Sequence, residues 1–221
     1  MSTNQQIAGI VLCGGRSHRM GRAKYRLIFS GETLLRRICR IAGSVASPVV
    51  VVAAADQELS LGDFPAQKPP IVIVRDQESY AGPLYGIFQG LQRVLEWQAP
   101  VEAAFVTGCD SPLLRPDAIC WLRQLLSDDF EAVVIRDGEY SYPLFAIYRV
   151  SVLSTLTDLL ASGERRATAL PARLKTRWVP VEEFKTIDPD LDSLRNCNTP
   201  EDLLQAQELH FARASGRIDC P

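Results

Sequence analysis

Histidine is nearly absent from this sequence: its 221 residues include two, His18 and His210. That count excludes a histidine-rich metal centre. A Ser-His-Asp triad would have to draw on one of the two, and only His18 lies near any motif. Six cysteines, at positions 13, 39, 109, 120, 197 and 220, form no Cys-x-x-Cys pair, so their spacing does not resemble a zinc site. Several lie in apolar runs, where cysteine behaves as a small hydrophobe, and a disulfide framework is not expected in a chain of this size. No apolar run approaches the about 20 residues of a membrane helix. The first six residues are polar and uncharged, unlike a secretory leader. An excess of charge is missing too: 24 Lys and Arg stand against 26 Asp and Glu, a net charge of −2. A general nucleic-acid binder would be strongly basic. The expectation is a reduced, soluble, cytoplasmic protein with neither nucleic acid nor membrane as partner. With no internal repeat and no low-complexity linker, residues 1–213 read as one domain and 214–221 as a flexible tail.

What the chain does hold is short apolar segments alternating with helical patterns. Ile7 to Leu12, Val49 to Ala53, Ile71 to Val74, Ala103 to Val106 and Phe130 to Ile135 read as strands. Continuous runs such as Val49-Val50-Val51-Val52 suit parallel strands covered on both faces. Tyr142 to Tyr148 and Arg177 to Val181 add two more strand-like stretches. Helices are expected from Thr33 to Gly43, Leu84 to Trp97, Pro116 to Leu126, Val150 to Leu160 and Thr199 to about Arg213, with a short piece ended by Pro171. Thr199-Pro200-Glu201-Asp202 combines a capping residue, a proline at the first helical position and acidic groups facing the helix dipole. The pattern predicts an α/β fold of three layers, a mostly parallel sheet with helices on both faces, which binds ligands at the carboxyl ends of its strands.

The local concentration of glycine and positive charge lies directly after the first strand, in Gly14-Gly15-Arg16-Ser17-His18-Arg19-Met20-Gly21-Arg22-Ala23-Lys24. Glycines let backbone N–H groups converge on an anion, and the cations neutralise what the amides cannot. A P-loop would need Gly-Lys-Ser or Gly-Lys-Thr, but Lys24 lies between Ala23 and Tyr25. A dinucleotide fingerprint would need Gly-x-Gly-x-x-Gly, and that spacing is absent as well. Two further segments follow strands and so fall on the same sheet edge: the loop that begins at Arg75-Asp76 and ends in Gly82-Pro83-Leu84, and the turn Cys109-Asp110-Ser111-Pro112.

The pattern Leu12-Cys13-Gly14-Gly15-x-Ser17-x-Arg19-Met20-Gly21-x-x-Lys24 resembles the signature of nucleotidyltransferases acting on molybdenum cofactor and nucleotide sugars. Gly163-Glu164-Arg165-Arg166 and Asn196-Cys197-Asn198-Thr199-Pro200-Glu201-Asp202-Leu203 are similar to segments of the molybdenum cofactor guanylyltransferases, so the resemblance spans nearly the whole chain. It implies a Mg²⁺-dependent transfer, or one supported by Mn²⁺. GMP would pass from GTP to molybdopterin with release of pyrophosphate, and transient contacts with other cofactor-biosynthesis proteins are implied. On the matching positions, Lys24, Asp110 and Arg19 would be catalytic, with Asp110 the metal ligand. Leu12, Cys13, Gly14, Gly15, Lys24, Asp76, Gly82, Pro83 and Asp110 would bind the nucleotide. Arg165, Arg166, Asn196 and Asn198 would face the acceptor. Taken singly, each has a plainer reading: a solvated lysine, an aspartate capping a turn, a Gly-Pro that starts a helix, a surface pair of arginines.

Two departures accompany the resemblance. Cys13 stands where alanine is usual and puts a thiol beside the expected phosphates, which invites oxidation. Ala53-Ala54-Ala55 lies where guanine-specific relatives carry an asparagine, whereas Gly14-Gly15 keeps the form linked to guanine. The alternatives are therefore a cytidylyltransferase for the same cofactor, another small-acceptor or sugar-phosphate nucleotidyltransferase, and a non-catalytic nucleotide-binding module.

Overall fold

The computed structural model describes residues 6–13, 23–59, 70–76, 81–97 and 101–215. The chain opens with β1 (Ala8–Leu12), then a small hairpin of β2 (Ile28–Phe29) and β3 (Glu32–Thr33), and α1 (Leu34–Gly43). Next come β4 (Val49–Ala53), β5 (Ile71–Arg75), α2 (Pro83–Leu95), β6 (Ala103–Gly108) and α3 (Pro116–Gln124). The second half holds β7 (Ala132–Asp137), β8 (Tyr140–Arg149), α4 (Leu153–Ala161), β9 (Thr176–Pro180), α5 (Val181–Phe184) and α6 (Pro200–Ala214). Residues 216–221 of the expected tail lie outside the described residues.

The main sheet runs β5-β4-β1-β6-β8-β7-β9, and β8 is antiparallel to both neighbours. It is the mostly parallel sheet with helices on both faces that the sequence predicts. Period-two alternation sorts each strand between the layers. Val11, Val49, Val51, Phe105 and Ile147 pack with α1, α3 and α5. Ile10, Val50, Val52, Val106 and Tyr148 pack with α2 and α4. A smaller cluster seats α6, through Leu203, Ala206 and Leu209, on Phe29, Leu34, Leu113 and Cys197. No helix among the described residues is long and apolar enough to cross a membrane.

Several boundaries differ from expectation for tertiary reasons. β6 extends past Val106 because Thr107 and Gly108 still pair with Val11 and Leu12 of β1. β8 begins at Tyr140, two residues before the expected Tyr142, because Asp137 and Tyr140 close a tight turn. The helix after β6 stops at Gln124, short of Leu126. Val150–Val152 is a 3₁₀ turn ahead of α4. The short helical piece expected before Pro171 is the 3₁₀ turn Ala167–Ala169, and Pro171 opens a further 3₁₀ turn, Pro171–Arg173, at a first position where its missing N–H is not needed.

From β1 the chain moves outward to β4 and β5, then crosses back to β6 on the other side of β1. This reversal puts a crevice at the carboxyl ends of β1 and β6. Crossover helix α2 lies so close to β1 that a Cβ on Gly90 would stand 2.6 Å from Ile10 Cγ2. Gly90→Ala is therefore expected to destabilise the protein by about 1–3 kcal/mol, although alanine is the better helix former. Urea unfolding checks this; an unchanged midpoint would show that the contact relaxes freely.

Candidate active site

The crevice is assembled from three distant segments. Asp110 lies two residues past the end of β6. A Cβ at Gly108 would come within 2.5 Å of Asp110 Oδ1, so a side chain there would force the carboxylate to shift. Lys24 begins a 3₁₀ turn, Lys24–Arg26, just before the small hairpin. Its ammonium donates to Asp110 Oδ2 at 2.7 Å and to Asn198 Oδ1 at 2.7 Å. The Lys24 and Asp110 side chains are each 20% exposed, so the pair lines the crevice and is open to solvent.

Asn198 owes its place to the start of α6. Thr199 and Asp202 form a capping box, and the Asp202 carboxylate accepts from the N–H groups of Asn198 and Thr199, both at 2.8 Å. Those two donors hold the Asp202 carboxyl below the usual carboxylate range. The preceding residues are tied to the Asp110 turn: Cys197 N–H donates to the Asp110 carbonyl at 2.8 Å, and Ser111 Oγ donates to Asn196 Oδ1 at 2.7 Å. Upstream, the buried Asp188 carboxylate accepts from Asp192 and Ser193 N–H groups. Asp192 is paired with Arg213 near the end of α6, so the loop is braced at both ends.

On the other side of the crevice, Gln57 joins two strand ends. Its Nε2 donates to the Cys13 carbonyl at 2.9 Å, and its Oε1 accepts from Ala54 N–H at 2.9 Å. The Arg75 guanidinium donates to the carbonyls of Gln57 and Leu59. Ala53 and Ala54 are buried, so of the three alanines only Ala55 faces solvent. Asp76, mostly buried at the end of β5, donates its N–H to the Ala53 carbonyl. Gly82 has φ +93°, and a Cβ there would meet the Arg165 carbonyl at 3.0 Å. Pro83 occupies the first turn of α2.

The structure thus brings Lys24, Asp110, Asn198 and Asn196 together, and separately brings Gly82 beside Arg165. The arginine heads are engaged locally. Arg166 pairs with Glu164 at 2.8 Å, and Arg165 donates to the Leu160 and Glu164 carbonyls. The Arg166 guanidinium, with the Arg166 and Arg165 N–H groups, holds the Glu164 carboxyl down to about 2. Gly14, Gly15 and Arg19 lie outside the described residues. Cys13 is corrected from the expectation of an oxidation-prone thiol: it is 4% exposed. Burial, and then the neighbouring Cys109, push its thiol well above the usual range, which suppresses the reactive thiolate. Three contributors went unassigned in the sequence. Ser111 stood within a quoted motif without a partner, the crowding at Gly108 depends on a turn geometry, and no pattern marks Gln57.

Among the described residues, no cluster of three or more His, Cys, Asp or Glu side chains would hold a metal alone. One partly exposed carboxylate, Asp110, suits Mg²⁺ or Mn²⁺ arriving with phosphate oxygens and water, and does not suit a resident all-protein centre.

Residues 9–177 match the MobA-like NTP transferase domain. The chain belongs to this family. A probable molybdenum cofactor guanylyltransferase of Mycobacterium ulcerans is 36% identical over 200 residues, covering 89% of this chain and 91% of the relative. A molybdenum cofactor guanylyltransferase of Desulfosudis oleivorans is 30% identical over 214 residues, 96% and 98% of the two chains. The second alignment covers so much of the chain that it extends well past the matched domain. The fold is also similar to that of molybdopterin-guanine dinucleotide biosynthesis protein A from Archaeoglobus fulgidus. That likeness has a TM-score of 0.75 at 23% identity and covers 93% of this chain and 99% of the other.

Proposed function

We propose that this protein transfers GMP from GTP to molybdopterin, releasing pyrophosphate and forming the guanine dinucleotide cofactor. The observation that carries this reading is the meeting of Lys24, Asp110 and Asn198 in one crevice at the switch point of the sheet, in a chain whose relatives bear that activity's name. A terminal phosphate oxygen of the acceptor forms the new bond to the α-phosphorus of GTP, and the bond from that phosphorus to the β-phosphate bridge breaks. Catalysis of this kind rests on positioning and charge stabilisation.

The roles divide by position. Gly14 and Gly15, with Arg19 assisting, would cradle the triphosphate. Leu12 and Cys13 lead the chain into that loop, and Gln57 fixes the Cys13 carbonyl from which it departs. Lys24, mobile at the tip of a flexible stem, would exchange its contacts on Asp110 and Asn198 for phosphate oxygens as negative charge moves to the leaving group. Asp110 would hold Mg²⁺, which when bound supplies neutralisation of phosphate charge. Asp76, Gly82 and Pro83 would contact base and ribose. Asn196, Asn198, Arg165 and Arg166 would hold the acceptor.

Thermal stabilisation by each nucleotide with Mg²⁺ tests the assignment, because a tight ligand raises stability by mass action. GTP is expected to raise the unfolding temperature more than CTP, ATP or UTP, and GTP with molybdopterin is expected to release pyrophosphate. A preference for CTP would assign the cytidylyl reaction instead, and no response to any nucleotide would overturn the catalytic reading.

A further inference from the structure

The β7–β8 hairpin carries aromatic side chains that none of the roles above uses. Thr107 of β6 pairs with Phe145 of β8, so Tyr140 to Leu144 continue beyond β6 at the edge where Asp110 turns away. At about 3.4 Å per residue, Tyr142 stands about 7 Å and Tyr140 about 14 Å beyond the level of Gly108. Their rings meet edge-on, with centroids 4.9 Å apart and planes at 81°. Tyr140 is 65% exposed, although its ring is largely apolar. Tyr142 packs on the core layer that also takes Leu191 and Leu194, from the loop leading to Asn196 and Asn198. The aromatic pair therefore rises past the end of β6, on the side away from β1, β4 and β5.

We propose that Tyr140, backed edge-on by Tyr142, forms an aromatic wall on which the planar ring system of the acceptor stacks, selecting a fused heterocycle over a sugar. This rests on the functional reading above and assigns residues that recognise its acceptor. The reacting phosphate of the acceptor has to lie at Asp110. The rest of the molecule can then extend along the sheet edge toward the β7–β8 hairpin. A fused heterocycle presents two flat π-faces, one of which the exposed Tyr140 ring, backed edge-on by Tyr142, matches at low entropic cost. A sugar phosphate would present hydroxyl groups, and a site for it would need buried hydrogen-bonding side chains at this place. Tyr140 and Tyr142 touch no reacting atom, so their contribution falls on acceptor binding and not on the transfer step.

The test compares acceptor KM with kcat in Tyr140→Ala, the Tyr140→Ala/Tyr142→Ala double variant and the matching double phenylalanine variant, all with GTP and molybdopterin. The double alanine variant is expected to raise the KM for molybdopterin about tenfold, as loss of stacking on a nucleobase does. Its kcat should stay within about twofold and its stabilisation by GTP should not change. The phenylalanine variant is expected to stay near the unaltered protein, because the ring faces persist. Tyr140→Ala, at the more exposed position, keeps the comparison independent of packing by Tyr142 and should raise KM several-fold. An unchanged KM in all variants, a loss of kcat shared by the phenylalanine variant, or a changed oligomeric state without a KM effect would overturn the proposal. Absence of molybdopterin turnover by the unaltered protein would overturn the functional reading, and the wall with it.

Discussion

Lys24→Ala is expected to lower turnover by about 10²–10³-fold, or about 3–4 kcal/mol in the transition state, by analogy with removing one oxyanion donor. The structure supplies the reason for so large an effect at one surface-accessible lysine. Its ammonium is held between Asp110 and Asn198, at 2.7 Å from each, the residues proposed to hold the metal and the acceptor. Stability should hardly move, because a partly exposed ion pair contributes about 0–1 kcal/mol. Lys24→Arg should restore little, since a rigid planar fork cannot follow charge as a compact ammonium does. Pyrophosphate release measured beside urea unfolding separates the two effects. Near-normal turnover in Lys24→Ala would remove this residue from the chemistry.

Asp110→Asn is expected to cost at least about 10³-fold in kcat/KM, with residual activity requiring more divalent metal. The substitution preserves shape and keeps the Asp110 carbonyl, which accepts from Cys197 N–H and fixes the turn. What it removes is the negative charge that both holds Lys24 and would hold the metal. Gly108→Ala offers an independent approach to the same group. Its added methyl would fall 2.5 Å from Asp110 Oδ1 and displace the carboxylate without altering its charge, so activity should fall there too. A Mn²⁺ titration of turnover checks both variants. Full activity of Asp110→Asn at ordinary metal concentration would exclude it as the metal-holding residue.

The sequence alone determined the local elements, because their causes are local. The β-branched run Val49-Val50-Val51-Val52 reads as a strand covered on both faces, and all four residues are buried. Thr199 and Asp202, three residues apart, form the capping box that their types and spacing predict. The glycine-rich basic loop, the Asp110 turn and the Asn196-to-Leu203 segment were each legible as motifs, and so was the α/β class. What only the tertiary structure decided is how those motifs meet. Lys24 and Asn198 are 174 residues apart, and Ser111 and Asn196 are 85 apart. Residue periodicity carries information about the next turn or strand residue, and none about which strand lies beside which. The order β5-β4-β1-β6-β8-β7-β9 arises from packing all the helices on both faces at once. That order aligns the ends of β1 and β6, lets Gln57 bridge Cys13 and Ala54, and extends the Tyr140–Tyr142 pair past Asp110.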